Sequence, residues 1–399
     1  MRDRLHIGVV GCGIAGTSFS LLARRSGHEV DLFEQTQHVG PVGAGVLLQP
    51  SGQRILASMG LLTQVTQQAE VIHEIHAVTH RGRDLIRLSY DDGSPGTIAF
   101  GLHRGDLFTV LHGALESAGV RLHLGVAVAS CQQASGRATL ADQAGRSLGS
   151  FDLIVVADGG KSRLRQSVGI PQSCREYSHG ALWAVGKCDA VHGKLWQITH
   201  GTRRLCGLLP MGQGRCSLFW GLRRDEYDQL KQSSAWDDWQ RRVLALAPSA
   251  AQILAGLDPP TGLTFTTFQH VVMSQWSSGP IVFIGDAAHA TSPHLGQGVN
   301  LALIDAATLA TAIEQETSIP TALATYAKHR HKQIRFYSKV TRLVTPFFQS
   351  DGRLLGVGRN MFLPRMHHFP PLHRLMLKTL RGEAHMPALQ SSHEAIQKS

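Results

Sequence analysis

The chain is short of several things, and each shortage narrows what it can be. No apolar run approaches the roughly 20 residues needed to cross a bilayer. Met1–His6 carries charges and runs straight into "IGVVG", so a signal peptide is not expected and the default compartment is the cytoplasm. Paired cysteines are missing. Cys12, Cys131, Cys174, Cys188, Cys206 and Cys216 contain no C-x-x-C, and Cys12 sits inside a glycine loop. That spacing excludes a zinc ribbon, a redox dithiol or a secreted disulfide framework, and leaves reduced, mostly packed thiols. Acids are scarce only in one place. Residues 328–385 hold twelve Lys and Arg against Asp351 and Glu383, which accounts for the whole formal charge of +10. The remainder is near neutral, unlike a uniformly basic nucleic-acid binder. Internal repeats and low-complexity runs are also absent.

What is present reads as a globular protein. Its 43% hydrophobic residues in 399 exceed one ordinary core, so two interleaved domains are expected, with a tail. Residues 5–34 read as strand, glycine turn, helix, strand: one βαβ unit of a parallel sheet. A short helix is expected over 50–62, antiparallel strands over 71–100, a helix over 104–118 and a strand over "GVRLHLGVAVASC". "FDLIVVADGG" and "GPIVFIGD" read as buried strands ending in glycine. Short β pieces fill 180–224, helix fills 234–256, and a long helix starts near Val299. The fold class is therefore α/β: a Rossmann-like nucleotide-binding domain (1–70, 101–178 and 271–345), an interleaved antiparallel β-sheet substrate domain (71–100 and 179–270) and a helical, basic C-terminal segment (346–399).

"GCGIAG" places Gly11, Gly13 and Gly16 in G-x-G-x-x-G spacing after a strand and before a helix. The first glycine permits the tight turn, the second lets a pyrophosphate approach the backbone, and the third lets helix and strand close up. Glu34 ends the next strand, where its carboxylate would accept from ribose hydroxyls and repel a 2′-phosphate. The bound nucleotide is thus FAD or NAD rather than NADP. The second glycine-rich stretch is "GDAAHATSPHLGQGVNLAL", residues 285–303. A buried strand delivers Asp286 to its end, suited to polyol hydroxyls. Pro293 stiffens the loop. Gly296 and Gly298 bare the backbone ahead of a helix whose positive end would stabilise an anionic reduced isoalloxazine. One motif would hold the adenosine end of a long cofactor and the other its flavin end.

With these motifs in order, the sequence resembles the class A flavoprotein monooxygenases of the para-hydroxybenzoate hydroxylase fold, UbiH-like aromatic hydroxylases among them, over about residues 5–345. The resemblance also rests on Arg104 of "HRGDL" and on "VADGGKSRLR". It implies non-covalent FAD bordered by Gly11, Gly13, Ala15, Gly16, Glu34, Gly45, Val46, Arg104, Val128, Asp158, Gly285, Asp286, Pro293, Gly296, Gln297, Gly298, Val299 and Asn300. Arg104 would lie along the FAD, the Val128 backbone would contact adenine, and Asp286 would bind the ribityl chain. Asp158 would support both FAD and nicotinamide-nucleotide binding. The chain departs from the family at Val156, where Gly is usual, and at Ser51, where Asn is common; Ser51 is expected to cap a helix.

The resemblance implies NAD(P)H as a transient reductant and O2 as co-substrate, with hydroxylation of an aromatic or other electron-rich small molecule through a flavin C4a-hydroperoxide. The cofactor carries that chemistry, so no catalytic acid or base is assigned. "GQG" at 212–214 and "GVG" at 356–358 supply no second nucleotide fingerprint, and NADH versus NADPH stays open. A reductase or dehydrogenase of the same fold, without oxygen insertion, is the alternative. A non-catalytic FAD-binding protein is another, whereas a halogenase would carry W-x-W-x-I-P, which is missing. His289 and His294 are poorly spaced for a metal; His289 reads as structural and His294 as a substrate contact. Trp183, Trp196, Phe219 and Trp220 read as core of the antiparallel sheet or as pocket wall. Three readings stand for the basic tail: packing across both domains, a peripheral membrane contact through Phe347, Phe348, Met361, Phe362, Leu375 and Met376, or an oligomer interface.

Overall fold

A computed structural model describes residues 4–386 other than 39, 41, 42, 135, 231–234, 259, 260 and 367; the end of the expected tail, 387–399, lies outside the described residues. The first βαβ unit forms as its pattern requires. β1 (His6–Val10) leads through the glycine turn into α1 (Ile14–Arg25) and β2 (Glu29–Glu34). There follow β3 (Gly45–Leu48), α2 (Pro50–Ser58), α3 (Leu62–Thr66), β4 (Glu70–Ile72), β5 (Glu74–Thr79), β6 (Asp84–Ser89) and β7 (Ala99–His103). Next come α4 (Arg104–Ser117), β8 (Arg121–Leu124), β9 (Val128–Ala134), β10 (Arg137–Asp142), β11 (Ser147–Phe151), β12 (Leu153–Val156) and α5 (Leu164–Ser167).

The nucleotide-binding sheet has the order β18-β19-β12-β1-β2-β8, where β18 is Ser277–Ser278 and β19 is Ile281–Phe283. β19, β12, β1, β2 and β8 run parallel. Both faces are covered, so β12 is buried throughout, as parallel strands with helices on each side must be. The segment 119–131, expected as one strand, is divided between two, β8 and β9. Gly125 adopts φ +72° and donates its N–H to the Thr36 carbonyl. The chain turns there, β8 stays in the parallel sheet, and β9 joins β10 and β11 in a separate three-stranded sheet.

The substrate sheet has the order β17-β13-β16-β15-β14-β5-β6. Its remaining strands are β13 (Gln172–Lys187), β14 (Lys194–His200), β15 (Arg204–Pro210), β16 (Arg215–Arg223) and β17 (Thr264–Met273). All neighbours are antiparallel except β14 and β5. The boundaries drawn at 178 and 270 fall inside β13 and β17. Alternation decides the faces. Leu182, Cys206, Leu208, Leu218, Trp220 and Leu222 bury a core with Trp236 and Trp239. Those tryptophans lie on α7 (Ala235–Leu246), between α6 (Arg224–Leu230) and α8 (Ala251–Ala255). The opposite face, through Ser217 and Leu209, meets Gly45 of β3.

The chain then makes α9 (Asp286–His289), α10 (Gly298–Gln315) and α11 (Ile319–Phe348), capped by Ser318 in a capping box. α11 runs through the boundary drawn at 345. Two further helices, α12 (Arg353–Met366) and α13 (Pro370–Leu380), strap the substrate sheet to the nucleotide-binding domain. Leu377 and Leu380 pack with Leu47, Ile72, Tyr90 and Leu209, and Arg381 donates to the Tyr90 and Asp92 carbonyls.

Candidate functional site

The three fingerprint glycines do three different things. Gly11 has φ +102°, and a Cβ there would lie 2.5 Å from the Ala157 carbonyl oxygen. At Gly16 a Cβ would sit 2.0 Å from the Gly11 oxygen, whereas at Gly13 it would meet nothing within 4 Å. So Gly11 and Gly16 are required by the fold, and Gly13 guards an open space at the start of α1. Glu34 closes that space from one side, accepting from the Cys12 N–H at 2.9 Å and from Thr36 at 3.0 Å. Val126 donates to the Glu34 carbonyl, which brings Val128, the first residue of β9, to the same strand end.

Asp158 follows β12 against Gly11. Its Oδ1 is buried without a hydrogen-bond partner. Burial pushes the carboxyl up to about 6, against the pull of Ser162 and Arg165. Arg165 itself is buried and donates to the Ala287 and Gly160 carbonyls, tying this loop to α9. Asp286 is exposed. It follows Gly285, whose φ is +59° and where a Cβ would lie 3.0 Å from the Ala15 Cβ. The two glycine motifs therefore meet at α1.

Asp305 holds that junction, and sequence reasoning missed it. Its Oδ2 accepts from the Gly285 N–H at 2.8 Å and pairs with His289 at 2.6 Å; its Oδ1 accepts from Arg330 at 2.6 Å. Asp305 and Arg330 are wholly buried. Burial alone would raise the carboxyl, but His289 and Arg330 hold it down at about 2. The only signal was a lone acid inside "LALIDAATLA". His289 is structural, as expected.

The second glycine loop also has its open place. Gly296 adopts φ +60° after the short turn Pro293–Leu295, and a Cβ at Gly298, at the head of α10, would meet nothing within 4 Å. Facing it, β3 presents Gly45 and Val46 beside Arg104. Gly45 donates to Ser217 Oγ at 3.0 Å, and a Cβ there would lie 2.7 Å from the Ser217 Cβ. The exposed Arg104 lies along Gly43. Val299 is half-buried beside them.

Two expected flavin neighbours turn out to face protein. Asn300 is fully buried; its amide accepts from the Gln49 N–H and donates to the Leu47 and Gly296 carbonyls. Gln297 donates to the Thr379 and Leu380 carbonyls of α13. Their side chains clamp the loop, which leaves only their backbone for a ligand. Ser51 does not cap. Gln49 is the cap residue of α2, Pro50 takes the first helical position, and the Ser51 hydroxyl is buried against Gly382 without a partner.

Across the loop lies an unusual set of polar groups. His294 Nδ1 bonds to Ser292 Oγ at 2.9 Å, and Ser292 bonds to Thr345 at 2.6 Å. His294 Nε2, Tyr177 OH, His179 Nε2, His270 Nδ1 and Gln349 Oε1 are buried without a well-formed hydrogen bond, with Gln349 beside His294 and with Ser292 and Thr345 beside Tyr177. Buried polar atoms are normally paired, so this cluster offers donors and acceptors that a polar ligand can satisfy. Burial, with His179 adding to it, pulls the His294 imidazole down to about 4. Aromatic rings adjoin it: Phe268 and Phe348 near His294, and Trp183 edge-to-face with Phe219 at 5.0 Å on the loop-facing side of the sheet. Trp220 points the other way, into the core. A separate charged cleft of about 370 Å³, between Arg203, Arg204, Arg223, Asp225, Glu226 and Asp351, adjoins His179. Its charges pair with one another, and no glycine-motif residue lines it.

A model of the FAD binding domain matches residues 4–339. The chain belongs to this family of class A flavin monooxygenases. It is an FAD-dependent aromatic hydroxylase, a class that typically draws its electrons from NAD(P)H. It is 28% identical over 327 residues to a probable 2-heptyl-3-hydroxy-4(1H)-quinolone synthase of Rhodococcus erythropolis, covering 80% of this chain and 82% of that one. It is 26% identical over 357 residues to the FAD-dependent urate hydroxylase of Klebsiella pneumoniae, covering 82% and 86%. In structure it resembles Klebsiella pneumoniae HpxO complexed with FAD and uric acid, with a TM-score of 0.81 at 21% identity over 96% of this chain and 98% of that one. The residues fit the cofactor. Gly13 and Gly298 leave room at two helix starts, Glu34 and Asp286 sit at two strand ends, and Asp158 Oδ1 is buried without a hydrogen bond.

Proposed function

We propose that the monooxygenase takes a flat aromatic substrate whose ring lies under Trp183 and Phe219 and whose polar edge meets His294. The cluster of buried polar atoms around His294 carries this reading. Thr345 donates to the Thr341 carbonyl, so Ser292 donates to Thr345 and His294 Nδ1–H donates to Ser292; Nε2 is then an acceptor for a substrate O–H or ring N–H, and the ring stays neutral because of its burial. Tyr177 and Gln349 supply further partners, and Phe348 and Phe268 exclude water.

Bound FAD would supply hydride acceptance and oxygen activation. Glu34 would hold its ribose, the Gly13 backbone its pyrophosphate and Asp286 its ribityl chain. The Gly296–Gly298 backbone would stabilise charge on the reduced ring through the start of α10. Arg104 would lie along the cofactor, and Asp158 would serve both nucleotides.

The 2-heptyl-quinolone in one relative's name and the urate in another's share a nitrogen-containing ring with oxygen substituents, whose N–H or O–H an acceptor such as His294 Nε2 would read. The test is anaerobic reduction of the FAD-loaded protein by NADH or NADPH, with quinolones, urate and hydroxybenzoates added singly. A true substrate accelerates flavin reduction and, in air, yields oxygenated product with matched oxygen uptake. His294→Leu should raise its KM by about tenfold or more, the cost of one lost hydrogen bond to a buried partner. NAD(P)H oxidation without an oxygenated product from any compound would favour a reductase instead.

A further inference from the structure

Helix α12 is built inside out. Successive residues turn by 100°, which puts Leu354, Val357, Met361 and Phe362 on one side and Gly356 and Arg359 on the other. The apolar side faces solvent: Leu354 is 86% exposed, Val357 66% and Phe362 62%. The inward residue is Arg359, 2% exposed, which donates to the Gly201 and Phe347 carbonyls and stacks on the Phe348 ring. A helix whose outer face stays in water has the opposite pattern.

The apolar side chains are also not scattered. Of twelve large hydrophobic residues exposed among those described, eight lie between Leu343 and Leu375. Single exposed apolar residues need no explanation, but a contiguous patch marks a contact surface. Around this patch Lys339, Arg342, Arg365, Arg374 and Lys378 are exposed. The nearby acids are engaged: Asp351 with Arg203 and Arg223, Asp92 with His373, and Glu383 with Arg54. A second copy of the same face would oppose cation to cation. An anionic partner with an apolar interior meets both features. No helix among the described residues is long and apolar enough to cross a membrane, so the contact is with its surface.

We propose that the outer face of α12, with the flanking ends of α11 and α13, lies on an anionic lipid surface. Leu354, Val357, Met361 and Phe362 enter the acyl boundary, and the basic residues meet the headgroups. This face is one layer from the pocket. Arg359 stacks on Phe348, whose ring is 6.3 Å from that of His294. Resting on the reading of that pocket, a substrate dissolved in the bilayer would arrive beside it.

The test is flotation of the full-length, FAD-loaded protein with phosphatidylcholine vesicles, with and without phosphatidylglycerol. The protein should float with the anionic vesicles at low salt and be released at high salt. Leu354→Ser combined with Phe362→Ser should abolish flotation. Arg342→Gln combined with Arg365→Gln should weaken partitioning by about 25-fold, at roughly fivefold per basic residue near the surface. All four side chains are exposed, so melting temperature and flavin spectrum should not change. Failure of the wild-type protein to float, or flotation unaffected by both double variants, overturns the proposal. So does a dimer in sedimentation velocity that L354S/F362S dissolves, which would mean that a second copy covers the face. Flavin reduction by NAD(P)H is read separately, so a failed pocket and a failed membrane contact give different results.

Discussion

Replacing Gly13 by alanine separates what the cofactor needs from what the fold needs. Gly13 has φ −80° and ψ −176°, a conformation that any residue adopts, and its Cβ position is empty to 4 Å. The apoprotein should therefore gain about 0.4–1 kcal/mol, because alanine has less freedom to lose on folding. FAD should suffer. The methyl group stands where the pyrophosphate must reach the backbone. Losing one hydrogen bond to a charged group costs about 1.5–3 kcal/mol, so Kd should rise about 10- to 150-fold. Gly16→Ala is the control. Its Cβ would lie 2.0 Å from the Gly11 oxygen, and overpacking of this kind destabilises the fold itself by about 1–3 kcal/mol. The assays are thermal denaturation of the FAD-stripped proteins and titration of FAD by quenching of its fluorescence. A Gly13→Ala protein that binds FAD as tightly as wild type, or that melts lower without FAD, would refute the assignment of this space to the pyrophosphate.

Three further outcomes are expected. Asp158 titrates near 6 in the fold against an ordinary 3.8, so the folded state holds the proton more tightly, and its burden on stability is present above pH 6 and fades as pH falls toward 3.8. Asp158→Asn should therefore raise the apoprotein melting temperature at neutral pH, with the gain vanishing in acid, while weakening FAD binding; a drop in melting temperature at neutral pH would contradict this. His294, near 4 in the fold against 6.5, contributes stability that is complete above 6.5 and is lost as pH falls toward 4; melting curves of His294→Gln should lack that part of the acid slope. Asp305→Asn strands the buried Arg330, a cost of about 3–5 kcal/mol, and frees the Gly285 N–H. Calorimetry should show a large loss of stability together with weaker FAD binding, and an unchanged melting temperature would argue against the network.

Where a residue's role depends on its own backbone and immediate neighbours, the sequence was readable. Gly11 and Gly16 could be marked from spacing because a positive φ at the first and the close approach of the second to the Gly11 carbonyl are local steric demands. Pro293 and Gly296 could be read the same way, as could the strand ends that carry Glu34 and Asp286. Side chains whose partners lie far along the chain were not readable. Asn300 and Gln297 belong to the motif but spend their amides on β3 and α13. Ser51 looked like a cap, yet with Pro50 in the first helical position the cap falls two residues earlier, at Gln49. Gly125 split an expected strand because its turn is fixed by Thr36 on another segment.

The order of its glycine motifs, with the acids after two strands, was enough by itself to make this chain an FAD-binding α/β monooxygenase. Backbone sterics and helix-end electrostatics act over a few residues and leave a pattern in the text. The tertiary structure alone decided that Asp305 braces the Gly285 turn, that Tyr177, His179, His294 and Gln349 come together in one buried cluster, and that α12 buries Arg359 while showing leucine and phenylalanine to the outside. Those roles arise from contacts between residues up to hundreds of positions apart, and hydrogen bonding and burial depend on distance in space rather than along the chain.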